Sequence, residues 1–256
     1  MYNHVADIGG MAVDVGFTFP NMYASIIKEN LLALNEKLTG SRYLKNINTP
    51  GGVNKDLDTD GMKMLSDSLE SVLKDFAELK NILFSSTSFM DRVDKTGILR
   101  KDTALDFGVV GLAARASGIG LDLRKVFGSI YNDVKFKISR QRQGDALARL
   151  NVRCSEFEES IRLIKEFLKT LKPGPVIAQE NIVPKAGFAL GFTEGWRGPV
   201  FYWIKTNKSG QIERCKIVDP SFHNWQALSY AVLGNIIPDF PLCNKSFNLS
   251  YSGNDL

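Results

Sequence analysis

Apolar residues recur every three or four positions in four long stretches of the chain, the spacing that gathers them on one face of a helix. The first stretch runs from Tyr2 to about Gly16 and sets His4, Asp7, Met11 and Asp14 in one narrow sector beside Ile8 and Val15, with Gly9 and Gly16 on another side where a second backbone could approach. A break at Phe17 to Pro20 separates it from a second helix ending near Leu38, striped by Ile27, Leu31, Leu34 and Leu38 and stopped by Thr39-Gly40. After a loop at Asn48 to Gly52, a long helix is predicted from near Asp60 to Phe84, with Leu65, Leu69, Val72, Phe76, Leu79 and Leu83 facing the core. The fourth and clearest, Asp145 to Lys172, carries Leu147, Leu150, Cys154, Phe157, Ile161, Ile164, Leu168 and Leu171 and stops at Pro173-Gly-Pro175. Its other face, with Arg153, Glu156, Glu159 and Arg162, is expected to be solvated.

Between the long helices, Ser85 to Ile130 reads as short helical pieces broken by glycines. Past Pro175 the period changes from 3.6 to 2. Phe201 to Ile204 and Ile212 to Val218 predict a β-hairpin across a turn ending at Gly210. A short helix from Asn224 to Leu233 and a polar, irregular tail follow. These patterns predict a mainly α (α+β) protein: an antiparallel helical bundle over residues 1–175, with a small β-hairpin region, short helix and tail over 176–256 packed on it.

Composition narrows the functional classes. At 256 residues, 44% hydrophobic and 23% charged, the chain is an ordinary globular one. Its net charge of +4 is dispersed, and the densest basic run, Arg140-Gln-Arg142, is too short to track phosphates, so nucleic acid is not an expected partner. No apolar run approaches the roughly 20 residues of a membrane span, so the chain is expected to be soluble. Cys154, Cys215 and Cys243 form no C-x-x-C pair, and His4 and His223 are the two histidines, so no metal is expected on this chain. Arg115-Ala-Ser-Gly-Ile-Gly-Leu-Asp122-Leu-Arg124 interleaves glycines with charges, a weak signal for a structural or anion-binding turn at Arg115, Asp122 and Arg124. Glu194-Gly-Trp-Arg197-Gly198 sets a permanent cation between glycines ahead of the hairpin.

Seven colinear motifs carry a resemblance over essentially the whole chain: YNHVADIGGMAVDVG, LTGSR with TPGGV, RASGIGLDLRK, GDALAR, LKPGPV, the E-x-x-R-G of Glu194 to Gly198, and DPSFHNWQALSYAV with IPDFP. Together they resemble the large subunits of nickel–iron hydrogenases, most nearly those of energy-converting hydrogenases and formate hydrogenlyase, and the D subunit of NADH–quinone oxidoreductase (complex I). The resemblance implies a membrane-associated oxidoreductase complex in which Arg197 overhangs the former metal cavity, or the quinone headgroup site of the complex I branch. Pro220 and Asn224 would line that cavity with Glu194, and His4 and Asp14 would complete the catalytic set.

The departures from the family shape the expectation. Neither nickel-ligand C-x-x-C motif is present, and Leu44 stands where complex I carries a histidine two residues after Arg42. The chain is therefore expected to be a fragment or shortened form that carries no nickel–iron centre. Electrons would come from an iron–sulfur cluster in a small partner subunit, beside membrane subunits and a quinone-like substrate, on the cytoplasmic, inner face of the membrane. In isolation it would expose apolar surface and self-associate. The alternative is a catalytically inactive scaffold for assembly.

Overall fold

The structure is a computed structural model that describes residues 1–178 and 185–256. Helix α1 (Tyr2–Asp14) packs along α2 (Thr18–Thr39), and Gly9 permits the contact: a Cβ there would lie 2.8 Å from the Ala24 Cβ. Gly16 has a different role. It follows the helix end with φ +78° and nothing near it, so it turns the chain rather than receiving a neighbour. Pro20 does not delay α2, because it sits in the first turn, where a missing N–H costs no helical bond. Gly40 ends α2 in the left-handed region, as the Thr39-Gly40 signal predicts.

The Asn48–Gly52 loop closes as a pair of two-residue strands, β1 (Asn48–Thr49) and β2 (Gly52–Val53). Asp58 caps α3 (Thr59–Ser85) by accepting from the Gly61 N–H. The glycine-broken region folds into α4 (Thr87–Val93), α5 (Lys101–Asp106), α6 (Gly111–Ala116) and α7 (Leu123–Val126), with a 3-10 turn at Ser129–Asn132. Asp145 caps α8 (Ala146–Thr170), accepting from Ala148 N–H at 2.7 Å. The main core joins α1, α2, α3, α4 and α8 through residues such as Ile8, Leu31, Leu79 and Phe157, with the Phe76 and Phe157 rings stacked at 3.9 Å.

The β region is larger than the sequence pattern predicts. β4 (Pro199–Thr206) and β5 (Ile212–Val218) form the expected hairpin, and β3 (Gly187–Glu194) adds to it as a third antiparallel strand, in the order β3-β4-β5. The Glu194-to-Gly198 segment is thus the turn between β3 and β4. The next helix, α9 (Pro220–Ala231), starts earlier than the apolar pattern indicates, because Asp219 caps it and Pro220 takes the first helical position.

The tail is not irregular. It forms α10 (Phe240–Phe247) and α11 (Tyr251–Asn254), and Leu242, Cys243 and Phe247 are buried. Leu242 joins the main core, while Cys243 and Phe247 join a second one with Ala113, Ala114, Leu228 and Ala231. An eight-residue helix offers too few turns for its apolar period to stand out in the sequence.

Candidate functional site

Half of the α8 face expected to meet solvent, Arg153 and Glu156, lies instead at the polar centre of the molecule, while Glu159 and Arg162 stay partly exposed. Arg149, Arg153 and Glu156 are buried, and both arginines expose 1% or less. Spaced four and three apart, they share a helical stripe beside the apolar one. Burial of an arginine demands a partner for each N–H edge, and the fold supplies them. Arg149 donates to Ser246 Oγ (2.8 Å) and to the carbonyls of Gly144 (2.6 Å) and Gly97 (2.8 Å). Arg153 donates to Asp7 Oδ2 (3.2 Å) and to the Ser246 and Phe247 carbonyls.

Glu156 opens a second chain of charges. His4 Nε2 lies 3.3 Å from Glu156 Oε2, and Glu156 Oε1 accepts from Arg115 Nε at 2.6 Å. Arg115 Nη1 reaches Glu194 Oε1 at 2.7 Å, whose other oxygen accepts the Leu123 N–H at 3.2 Å. Asp122 stands 3.8 Å from Arg115 and holds Arg124 through two side-chain bonds. Arg115, Asp122 and Arg124 are thus knitted into an internal network. Burial alone would raise the Glu156 carboxyl, but Arg115 and His4 outweigh it and hold the group at about 2. Burial pushes the Glu194 carboxyl up and the His4 imidazole down. His4 Nδ1 is buried without a partner among the described residues.

Arg197 is positioned by a backbone crossing. Gly195 and Gly198 exchange hydrogen bonds across the β3–β4 turn, and Leu112 N–H donates to the Arg197 carbonyl at 3.3 Å. Gly111 (φ +64°) lies beneath it, and a Cβ there would sit 1.9 Å from that carbonyl oxygen. The Arg197 guanidinium lies 4.5 Å from the Trp196 ring centre, and its Nε donates to the Asn248 carbonyl. Asn248, in the left-handed region at φ +51°, donates its side-chain amide to Asp7 Oδ1 at 2.5 Å. Arg197 and Asp7 are therefore bridged by a single residue. Burial lowers the Arg197 pKa against the opposing pull of Asp7 and Asp219.

Two of the other candidates, Asn224 and Pro220, adjoin this turn, and Asp14 lies apart from it beside Lys245. Asn224, buried in α9, accepts the Val110 N–H and donates back to the Val110 carbonyl, and the buried Pro220 lies 3.3 Å from a Cβ built on Gly198. Asp14, at the end of α1, is half-buried; burial raises its pKa against Lys245. Sequence reasoning leaves Asp7, Arg149 and Asn248 out of the candidate set and assigns Arg153 and Glu156 to the surface. The usable signal is the four-and-three spacing of Arg149, Arg153 and Glu156 along one stripe.

A fold of this kind, with a helical bundle, a glycine-locked arginine turn and a buried carboxylate on the first helix, defines a large-subunit-type scaffold. The chain belongs to the family of the respiratory-chain NADH dehydrogenase 49 kDa subunit, whose model matches residues 14–185 and 176–255. The NADH-quinone oxidoreductase D subunit of Clostridium beijerinckii is 35% identical over 93% of this chain and 65% of the relative. The carbon monoxide-induced hydrogenase of Rhodospirillum rubrum is 32% identical over 96% of the chain and 69% of the relative, and formate hydrogenlyase subunit 5 of Escherichia coli is 28% identical over 100% and 45%. A chain of the membrane-bound sulfane sulfur reductase, an archaeal respiratory membrane complex, superposes with a TM-score of 0.91 at 27% identity, over 99% of this chain and 71% of that one. The chain thus spans 65% of the length of the first of these relatives.

Proposed function

We propose that the chain is the large-subunit component of a membrane-associated oxidoreductase complex, in which Arg197 faces a redox substrate and a partner subunit's iron–sulfur cluster supplies electrons. The observation that carries this reading is the bridge from Arg197 through Asn248 to Asp7, with Gly111 locking the turn from below. Such a lock fixes a permanent cation where charge would develop on a substrate being reduced, at no cost of reorganisation. Asp14, whose carboxyl burial makes a weaker acid, supplies a proton in the same reading. A quinone-like ring is the substrate class this arrangement suits.

In this reading the donor chemistry of the described residues does not fit a nickel–iron centre. No group of three or more His, Cys, Asp or Glu side chains converges among the described residues, and burial pushes the Cys154 thiol up to about 12, away from the thiolate a metal needs. No helix among the described residues is long and apolar enough to cross a membrane. Association with the inner membrane face is accordingly read as peripheral, through other subunits. Exposed Met22, Ile26, Leu233 and Ile237 provide apolar surface for such contacts, or for self-association of the isolated chain.

The test is electron transfer to a quinone analogue by the complex purified with its partner subunits. Arg197→Ala and Asp14→Asn are expected to lower turnover at least about tenfold. Transfer unchanged in both variants sinks the catalytic assignment and leaves the chain a scaffold.

A further inference from the structure

The sheet has two edges of opposite character. β5 carries Glu213, Arg214 and Lys216, the charges by which natural edge strands discourage pairing. β3 carries no charged residue and no proline from Gly187 to Thr193. Phe188, Leu190 and Phe192 lie on one face of it and are 79%, 59% and 42% exposed. Register places Trp203 and Lys205 of β4, and Lys216 of β5, on that same face. Phe192 is met by Phe127 at 4.1 Å, but nothing among the described residues pairs with the outer edge of β3.

Charge is concentrated in the sheet as a whole. Residues 185–218 hold Lys185, Arg197, Lys205, Lys208, Arg214 and Lys216 against Glu194 and Glu213, a surplus of four, which equals the net charge of the whole chain. The remainder of the molecule is electrically balanced.

We infer that β3 is a docking edge for an extended segment of an acidic partner polypeptide, which adds as a fourth strand and lays apolar side chains over Phe188 and Leu190. The unpaired backbone row selects a polypeptide, because a lipid surface cannot complete a hydrogen-bond ladder. The cationic surplus selects an acidic partner and opposes a second copy, which would bring the same surplus to the seam. The inference rests on the reading that the chain works within a multi-subunit complex.

Amide hydrogen exchange of residues 187–193 tests it, measured in the purified complex and in the full chain alone. The expected result is exchange about tenfold or more slower in the complex, with Leu190→Glu releasing the partner at lower salt than Leu190→Lys does. Equal exchange in both samples overturns the inference while leaving the complex intact. So does protection of the chain alone that grows with its concentration, or protection by vesicles of 30% phosphatidylglycerol (~30%, enough to make the surface anionic) without a partner. Equal partner release by the two Leu190 variants removes the acidic character. A chain that purifies with no partner at all overturns the proposed function together with this inference.

Discussion

Asp7 and Asn248 are 241 positions apart in the sequence and 2.5 Å apart in the fold. The contact ties the first helix to the residue that ends α10, and Asp7 at the same time holds the buried Arg153. Removing one partner from a buried ion pair leaves the other charge uncompensated, at a cost of roughly 3–5 kcal/mol. Asp7→Ala is therefore expected to destabilise the chain by about that amount in urea denaturation. Asn248→Gly is expected to cost less, about 1–2 kcal/mol, because glycine suits φ +51° and keeps the carbonyl that receives Arg197. Equal losses in the two variants would contradict the bridging role assigned to Asn248.

Acid sensitivity should divide into two windows. The imidazole of His4 is held below its ordinary 6.5 by burial, so the unfolded chain binds a proton that the folded one resists, and stability falls as pH drops below 6.5. Glu156 is displaced in the same direction, from 4.5 down to about 2, so its contribution is complete above 4.5 and is lost as pH falls towards 2. His4→Gln is expected to flatten the upper window and spare much of the lower one. With two histidines in the chain, proton NMR can follow His4 beside His223; a normal His4 titration near 6.5 would refute the assignment.

Much of the fold was legible because the long helices carry their own period: α3 and α8 show their apolar stripes over 27 and 25 residues, and Gly40 and Asp145 mark helix ends by local chemistry. The centre of the site was not legible. A polar stripe such as Arg149, Arg153 and Glu156 reads the same whether it faces water or a second polar layer, and the deciding partners, Asp7 and Ser246, lie far away in sequence. Asn248 was hidden for another reason: its role depends on a left-handed backbone that no side-chain pattern announces. The motif resemblance singled out Arg197 and Glu194, but not the closure of Glu194 on Arg115.

The network around Arg115 should tolerate loss of one charge more readily than another. Arg115 and Arg124 face Asp122, Glu156 and Glu194, one carboxylate in excess, and burial already pushes the Glu194 carboxyl up. Glu194→Gln keeps an acceptor for Leu123 and removes the excess charge, so it is expected to change stability at pH 7 by less than about 1 kcal/mol. Glu156→Gln removes the carboxylate that Arg115 and His4 both depend on, and should cost about 3 kcal/mol. Denaturation of the two variants side by side checks the ordering. A Glu194→Gln loss as large as that of Glu156→Gln would mean the excess charge is compensated elsewhere.

Gly108 and Gly111 allow the turn geometry of Arg197 to be tested without touching Arg197. Both have positive φ, +60° and +64°, so alanine carries a similar backbone cost at each, about 1–2 kcal/mol. Their surroundings differ. A Cβ on Gly108 meets nothing within 4 Å, whereas one on Gly111 would lie 1.9 Å from the Arg197 carbonyl oxygen and 2.3 Å from the Gly198 Cα. Neither backbone can yield without breaking the Leu112-to-Arg197 hydrogen bond. Gly108→Ala should therefore lower stability modestly and leave substrate turnover intact. Gly111→Ala should lower stability further and displace Arg197, so that turnover falls even where the variant remains folded by circular dichroism. If Gly111→Ala behaves like Gly108→Ala in both measurements, the crossing at Gly111 does not position the arginine.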